Sequence, residues 1–321
     1  MGHIRKVAVV GTGGIGGSWA AYFLAQGLDV VATDIKEGAE QDLRARIRLY
    51  WESLSAAGLA PEASIDKLRF VPSLAEALQD AEFIQENGPE RLELKQSLFA
   101  QMGEFARPDA LLVSSSSTLL VSDIQRDARN PQRVVLGHPF NPPHMVPLVE
   151  VVGGQLTSEG AISDVMNFYR AIGKSPIRLK REVFGHIANR LQTALWREVF
   201  HLISSGVASA EDIDAAITDG PGMRWAVNGP CTVLHVSGGR GGVRSTLAHM
   251  GKPMNAMAQT LYEGPITPEM SDAVIASVES MMQDKDVDDL TRHRDFSLLA
   301  VIRAKEALKE VLTSGKLPLN W

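Results

Sequence analysis

A single cysteine, Cys231, stands in the 321 residues. That excludes an intrachain disulfide and fits a reducing, cytoplasmic setting. No Cys–His metal spacing accompanies it, so Cys231 reads as a small buried hydrophobe and no metal is expected. Excess positive charge is lacking too. The formal net charge is −6, which argues against a bulk nucleic-acid or anionic-membrane partner. No stretch of about 18 apolar residues occurs, so no membrane span is expected. The early segment "RKVAVVGTGGIGG" has charges and a short apolar run. Glycines break that run too soon for a secretory signal. Repeats and low-complexity segments are absent as well.

What is present is the composition of a globular chain, 45% hydrophobic and 22% charged, long enough for two domains. Strand-like apolar runs stand at 4–10, 29–34, 68–71, 81–86 and 110–116, with two more in "RVVLGH" and "LVEVVGG". Helical spacing separates them, most clearly at 14–27 and in "QDLRARIRLYWESL". Strands alternating with helices predict a parallel, doubly wound sheet. After about residue 185 the spacing is helical almost throughout: 187–206, 210–218, 242–263, 267–283 and 288–313. The expected fold is α/β: an N-terminal doubly wound Rossmann-type domain, 1–184, followed by an all-α C-terminal domain, 185–321. "SGGRGGVR" at 237–244 reads as a mobile loop.

Gly11, Gly13 and Gly16 form G-x-G-x-x-G between an apolar strand and a helix, and a second strand ends in Asp34, 18 residues past Gly16. The bare motif is weak; this context makes it a dinucleotide signature. Gly11 permits the tight turn. Gly13 admits a pyrophosphate, and Gly16 lets helix and strand approach. The helix N-terminus offers N–H groups and a positive dipole end to the phosphates. Asp34 would accept from the ribose hydroxyls and repel a 2′-phosphate, so NAD is expected over NADP. Lys36 stands close enough to sit near a phosphate. Glu86 and Lys95, at and after a strand end, are placed near the nicotinamide half of the cofactor, with a solvated acid and a surface lysine as the bland alternative.

The chemistry is read from "VVLGHPFNPPHMVPLVEVVGG". It sets His138 and Glu150 twelve apart, with a proline-rich stretch between two strands. Alcohol oxidation releases a proton, and a neutral imidazole oriented by a carboxylate is suited to accept it. "SSSSTLL", "GHPFNPPHMVPLVEVVGG" and "GHIANRLQTALWRE" stand in the order and spacing of the L-3-hydroxyacyl-CoA dehydrogenase superfamily, which the chain resembles over essentially its whole length. "NPPHMVPLVE", "NRLQ" and "ALWREVFHLISSGVAS" are similar to the short branch acting on free hydroxy acids, which includes L-gulonate 3-dehydrogenase (lambda-crystallin) and L-carnitine dehydrogenase. The resemblance implies His138 as general base with Glu150 as its partner. It implies Ser117 and Asn189 as hydrogen-bonding partners of the substrate oxygen. Ser115 or Ser116 remains an alternative contact, to the cofactor. Asn141 is expected beside the nicotinamide. It also implies NAD as cofactor and a homodimer formed through the C-terminal domain. A lysine-based β-hydroxyacid mechanism would need a lysine four before Asn189, where Gly185 stands.

The substrate reading rests on "DGPGMRWAVNGP", 219–230. The acyl-CoA enzymes carry a glycine-rich turn there, without an Arg–aromatic pair. Arg224 would clamp a free carboxylate, a group that a thioester lacks; an inter-domain salt bridge is the alternative. A quaternary ammonium, as in carnitine, would need aromatic faces such as Trp196, Trp225, Tyr262 or Phe200, although Trp196 and Phe200 also fit a core. The expectation is an NAD-dependent dehydrogenase of a small L-3-hydroxy acid, carnitine ahead of gulonate. The alternatives are a 3-hydroxybutyryl-CoA dehydrogenase and, outside enzymes, a crystallin-like NAD-binding structural protein.

Overall fold

The structure, a computed structural model, describes residues 4–283 and 285–314. The apolar runs become strands β1 (Lys6–Val10), β2 (Asp29–Thr33), β3 (Leu68–Phe70), β4 (Phe83–Glu86), β5 (Leu111–Ser114), β6 (Val134–Pro139), β7 (Leu148–Gly153) and β8 (Ser175–Arg178). They form one sheet in the order β3-β2-β1-β4-β5-β6-β7-β8. The first six strands are parallel. β7 pairs antiparallel with β6, and β8 pairs parallel with β7. The sheet is therefore mixed rather than wholly parallel. The β6–β7 connection is too short for a crossover helix, so the chain must turn back on itself. β8 was hidden in the sequence because "SPIR" carries a proline and one apolar residue; at the sheet edge both are tolerated.

Helices α1 (Gly14–Ala25), α2 (Ala39–Ala57), α3 (Leu74–Leu78), α4 (Leu92–Phe105), α5 (Val121–Ile124) and α6 (Glu159–Ala171) cover the sheet. Alternate strand residues go to opposite faces, as the pleat requires. Val7, Val9, Phe83, Leu111 and Val135 pack with Trp19, Phe23 and Tyr169 from α1 and α6. Ala8, Val10, Ile84, Leu112 and Leu136 pack with Phe99 and Met102 of α4. Both faces are buried, so the strands read as unbroken apolar runs rather than alternating ones.

The helical part comprises α7 (Ala188–Ser204), α8 (Ala210–Thr218), α9 (Pro221–Val227), α10 (Pro230–Val236), α11 (Gly242–Ala258), α12 (Pro268–Met281) and α13 (Val287–Ser314). Ser209 and Thr267 cap α8 and α12 by accepting from Asp212 N and Met270 N. One stretch had no expected element and another differs from expectation. "DGPGMRWAVNGP" opens two short helices: Pro221 and Pro230 each occupy a first helical turn, where a missing N–H costs nothing. "SGGRGGVR" is a 3-10 turn at Gly239–Gly241 running into α11, not an open loop. Cys231 lies on α10 and is exposed, not buried. The short α10 buries none of its residues. By compactness the backbone divides into two units. One runs to Arg190 and takes in Thr291–Leu299; the other holds Leu191–Leu290 and the chain from Ala300.

Lys174, between α6 and β8, is a buried cation of the first unit. Its Nζ donates to the carbonyls of Pro143 and Val146 and stands 3.6 Å from the Tyr22 ring centre. Burial pushes its ammonium down to about 7. An unfolded lysine holds its proton to about pH 10.4. Between those values the unfolded chain binds the extra proton, so stability rises with pH across the window and is lowest below it. We predict that the thermal midpoint of the wild type rises relative to that of Lys174→Met between pH 7 and pH 10. A difference flat in pH would show that the buried amine does not titrate there.

Candidate active site

The first part of the site lies where the strand order reverses, beside β1 between β2 and β4. Gly11 leaves β1 with φ +84°, and a Cβ on it would meet the Asn87 carbonyl at 2.9 Å. A Cβ on Gly16 would stand 1.9 Å from the Gly11 oxygen. Gly13 has nothing within 4 Å of its Cβ position, and no side chain caps α1. The result is open space in front of a helix N-terminus, which is what a pyrophosphate needs. Asp34 Oδ2 accepts from Thr12 N at 2.7 Å and Thr12 Oγ1 at 3.0 Å; Oδ1 accepts from Lys36 N at 2.9 Å. Burial works to raise its pKa, but these backbone donors outweigh it and hold the carboxyl below its usual range. Lys36 is turned to Asp42 at 2.9 Å. A cleft of about 690 Å³ runs from Gly11, Gly13 and Asp34 to Asn87 and Leu98. These residues fit a dinucleotide.

Glu86 and Lys95 correct the expectation made for them. Their side chains are 0% and 1% exposed, with Lys95 Nζ 2.7 Å from Glu86 Oε1 and 2.9 Å from Oε2. Gly88 N and Ser114 Oγ complete the carboxylate. A charge buried this deeply must be paired. The pair braces the Asn87–Gly88 turn against which Gly11 packs, and neither residue presents a group to the cleft. Asn141 is exposed, at a cis Asn141–Pro142 bond.

The second part explains the twelve-residue spacing. Antiparallel pairing of β6 with β7 sets His138 directly opposite Glu150. Nδ1 of His138 lies 2.9 Å from Glu150 Oε2. An ionised carboxylate only accepts, so Nδ1 carries the hydrogen and Nε2 keeps a lone pair. Glu150 Oε1 accepts from Ile187 N at 2.8 Å and Ala188 N at 3.0 Å, at the start of α7. Burial tends to raise this carboxyl; the imidazole and the two amides overcome it and hold it low. Gly137 must be glycine, because a Cβ there would lie 2.3 Å from the Tyr169 hydroxyl.

The four serines separate by partner. Ser114 donates to Glu86, Ser115 to Asn87 and Ser116 to Glu90. Ser117 is exposed, and its hydroxyl has no protein partner among the described residues. Asn189 Nδ2 donates to the Ser117 carbonyl at 3.3 Å. The structure thus brings Ser117, His138, Glu150 and Asn189 to one end of the sheet. Two neighbours were not singled out in the sequence. Glu90 Oε1 also accepts from Thr118 N at 2.7 Å and fixes the serine loop. Its signal was an acid between "NGP" and a helix. His186 lies 5.0 Å, ring to ring, from His138; its signal was a polar ring beside Gly185.

His144 belongs to a different arrangement. Its Nδ1 is 2.8 Å from Ser18 Oγ and its Nε2 2.8 Å from Asp295 Oδ2. The set has the residue types of a hydrolytic triad, yet all three residues are 2% exposed. Both ring nitrogens are taken by buried partners, so it acts as a strut between α1, the loop after β6 and α13. The proposed substrate residues lie in the second unit. Arg224 and Trp225 are exposed on α9, and Arg224 has no ion-pair partner among the described residues. Trp196 on α7 is 48% exposed. Tyr262 stacks on His201 with ring centres 5.0 Å apart, and its N–H donates to Glu198.

Two family models match the chain. One is the NAD binding domain of 3-hydroxyacyl-CoA dehydrogenase, over residues 6–183; the other is its C-terminal domain, over residues 185–265. The chain is similar to an L-carnitine dehydrogenase of Streptomyces coelicolor, at 43% identity over 302 residues, 94% of this chain and 95% of that protein. It is similar to a second L-carnitine dehydrogenase, of Streptomyces griseus, at 44% identity over 94% of this chain and 90% of that protein. Among solved structures, a 5-formyl-3-hydroxy-2-methylpyridine 4-carboxylic acid 5-dehydrogenase, described as an NAD+ dependent dismutase, matches with a TM-score of 0.81. The identity is 27%, over 94% of this chain and 99% of that one.

Asp34→Ala is expected to weaken NADH binding about tenfold, the worth of one charge-assisted hydrogen bond. Calorimetric titration checks this, and unchanged affinity would remove Asp34 from the ribose site.

Proposed function

The chain belongs to the 3-hydroxyacyl-CoA dehydrogenase family, and on that premise we propose that it is an NAD-dependent dehydrogenase oxidising the 3-hydroxyl of L-carnitine to the 3-keto acid. The observation that carries the reading is the His138–Glu150 pair, with the His138 Nε2 lone pair uncommitted and the free Ser117 hydroxyl at the same sheet end. When bound, NAD supplies the acceptor for the hydride leaving C3. His138 Nε2 takes the hydroxyl proton, and Glu150 stabilises the imidazolium that forms. Ser117 Oγ and Asn189 hold the substrate oxygen. In reverse, the protonated His138 polarises the ketone.

Arg224 and the exposed Trp196 and Trp225 support a free acid with a quaternary ammonium over a thioester. The Arg224 guanidinium has no ion-pair partner among the described residues, and indole faces attract a quaternary ammonium. The names of the two Streptomyces relatives support the same substrate. In this reading residues 1–184 hold the dinucleotide, and 185–321 serve the substrate and a homodimer contact. Exposed Met223, Val227, Leu247 and Met250 on α9 and α11 favour burial between copies. A sedimentation mass of one chain would exclude the dimer. The single cysteine favours the cytoplasm.

The test is NADH formation at alkaline pH with L-carnitine, L-gulonate and L-3-hydroxybutyryl-CoA side by side. Oxidation of carnitine, lost in Arg224→Ala, is the expected result. Turnover of only the CoA ester, unchanged in the variant, would overturn it; NADH binding without any turnover would favour a structural role. Glu150→Gln is expected to lower kcat about a hundredfold with NADH affinity unchanged.

A further inference from the structure

His186 is a buried ring that the chemistry above does not use. It is 1% exposed. Among the described residues it is the one non-glycine with positive φ, +51°. Glycine would relax that backbone, so the strain is kept for a side chain with a task. Nε2 lies 3.0 Å from the Ser116 carbonyl oxygen. A carbonyl only accepts, so Nε2 carries the hydrogen. Nδ1 is buried and has no partner among the described residues. Burial holds the ring below the ordinary histidine range; the Ser116 carbonyl opposes this, and His138 adds to it. Glu150 and Glu90 are the acids close enough to pull the other way. The ring is therefore neutral, in one tautomer, beside the histidine that becomes charged during turnover.

The same turn orders its surroundings. Gly185, φ +75°, and His186 bend the chain so that the next two amides reach Glu150. The Ser116 hydroxyl is held by Glu90, its carbonyl by His186, and the Ser117 carbonyl by Asn189. With those three fixed, Ser117 carries the one serine or threonine hydroxyl of the loop that has no partner among the described residues.

We propose that His186 is a positioning residue: its Nε2–H fixes the Ser116 carbonyl and thereby aims the Ser117 hydroxyl at the substrate oxygen that His138 Nε2 deprotonates. This rests on the dehydrogenase reading given above.

Three variants separate donor, ring and backbone. His186→Phe keeps a ring without the donor, His186→Gly relaxes the backbone without it, and His186→Gln keeps a donor without the ring. With the substrate that the wild type oxidises fastest, the Phe and Gly variants are expected to lose about tenfold to a hundredfold in kcat, the scale of a misplaced reacting group. Their isotope effect with C3-deuterated substrate should rise, and NADH affinity should hold within about twofold. His186→Gln is expected to recover most of the loss. Wild-type kcat in the Phe variant, or an equal loss in the Gln variant, overturns the proposal. A readout independent of turnover is the imidazole 15N spectrum of the wild type, which should show the Nε2–H tautomer of His186 across neutral pH. An Nδ1–H tautomer overturns the anchor even if the other variants fail to fold. A wild type that oxidises none of the substrates defeats the dehydrogenase reading alone, since the spectrum still reports on the anchor.

Discussion

Three N–H groups converge on the Glu150 carboxylate: His138 Nδ1 on one oxygen, Ile187 and Ala188 on the other. The carboxylate is wholly buried. Left unpaired, such a charge would cost several kcal/mol; with three charge-assisted donors it is retained. The donors come from β6 and the start of α7, while Glu150 itself is on β7. One side chain thus fixes three elements at once, and it also decides which nitrogen of His138 is bare. The antiparallel turn-back at β7 has this result. A parallel β7 would first need a crossover back to the opposite end of the sheet, which the short β6–β7 connection cannot make.

The serine loop links this centre to the nucleotide end. Ser114 reaches Glu86, which is closed by Lys95 and supports the Asn87–Gly88 turn. Ser115 reaches Asn87, which also donates to the Gln85 carbonyl, and Tyr169 donates to the Gln85 side chain. Asn87 in turn is the backbone that Gly11 approaches. The dinucleotide turn and the serine loop are thus joined through polar groups that are nearly all satisfied. Such a network is costly if half-made and rigid if complete. Here it is close to complete, with Trp19 Nε1 and His186 Nδ1 the buried side-chain polar atoms without partners among the described residues.

The sheet was legible because strands buried on both faces leave unbroken apolar runs; six of the eight strands fall inside the expected runs, and β6 extends one residue past its own, to Pro139. The edge strand β8 was not, because an edge needs few apolar side chains. Nor were α9 and α10, whose sequences open on Gly-Pro, a signal shared by turns and helix starts. The site was legible where residue type alone limits the role. A histidine and a glutamate twelve apart across a turn-back have one register that joins them. It was illegible where role depends on partners. Glu86 ends a strand next to a cleft, as a ligand-facing acid would; only the reach of Lys95, a helix turn away on α4, reveals a closed ion pair. The four serines are identical in sequence; three are told apart by the acceptor each meets, and Ser117 by meeting none among the described residues.

His144 and His186 mark the limit of reading from composition. Both are histidines close to β6, and burial holds both below the ordinary histidine range. His144 spends both nitrogens, on Ser18 and Asp295, and is buried, and so serves as a joint. His186 spends one nitrogen, on the carbonyl before Ser117. His138 spends one as well, on Glu150, but on the nitrogen that leaves the other able to accept a proton. In the proposed reading the same side chain thus gives a strut, an anchor and a base, and what separates them is the count and kind of partner at each ring nitrogen. An imidazole with two partners cannot exchange a proton without breaking the fold around it. One with a carboxylate on Nδ1 and nothing on Nε2 can, because the charge it gains is already opposed.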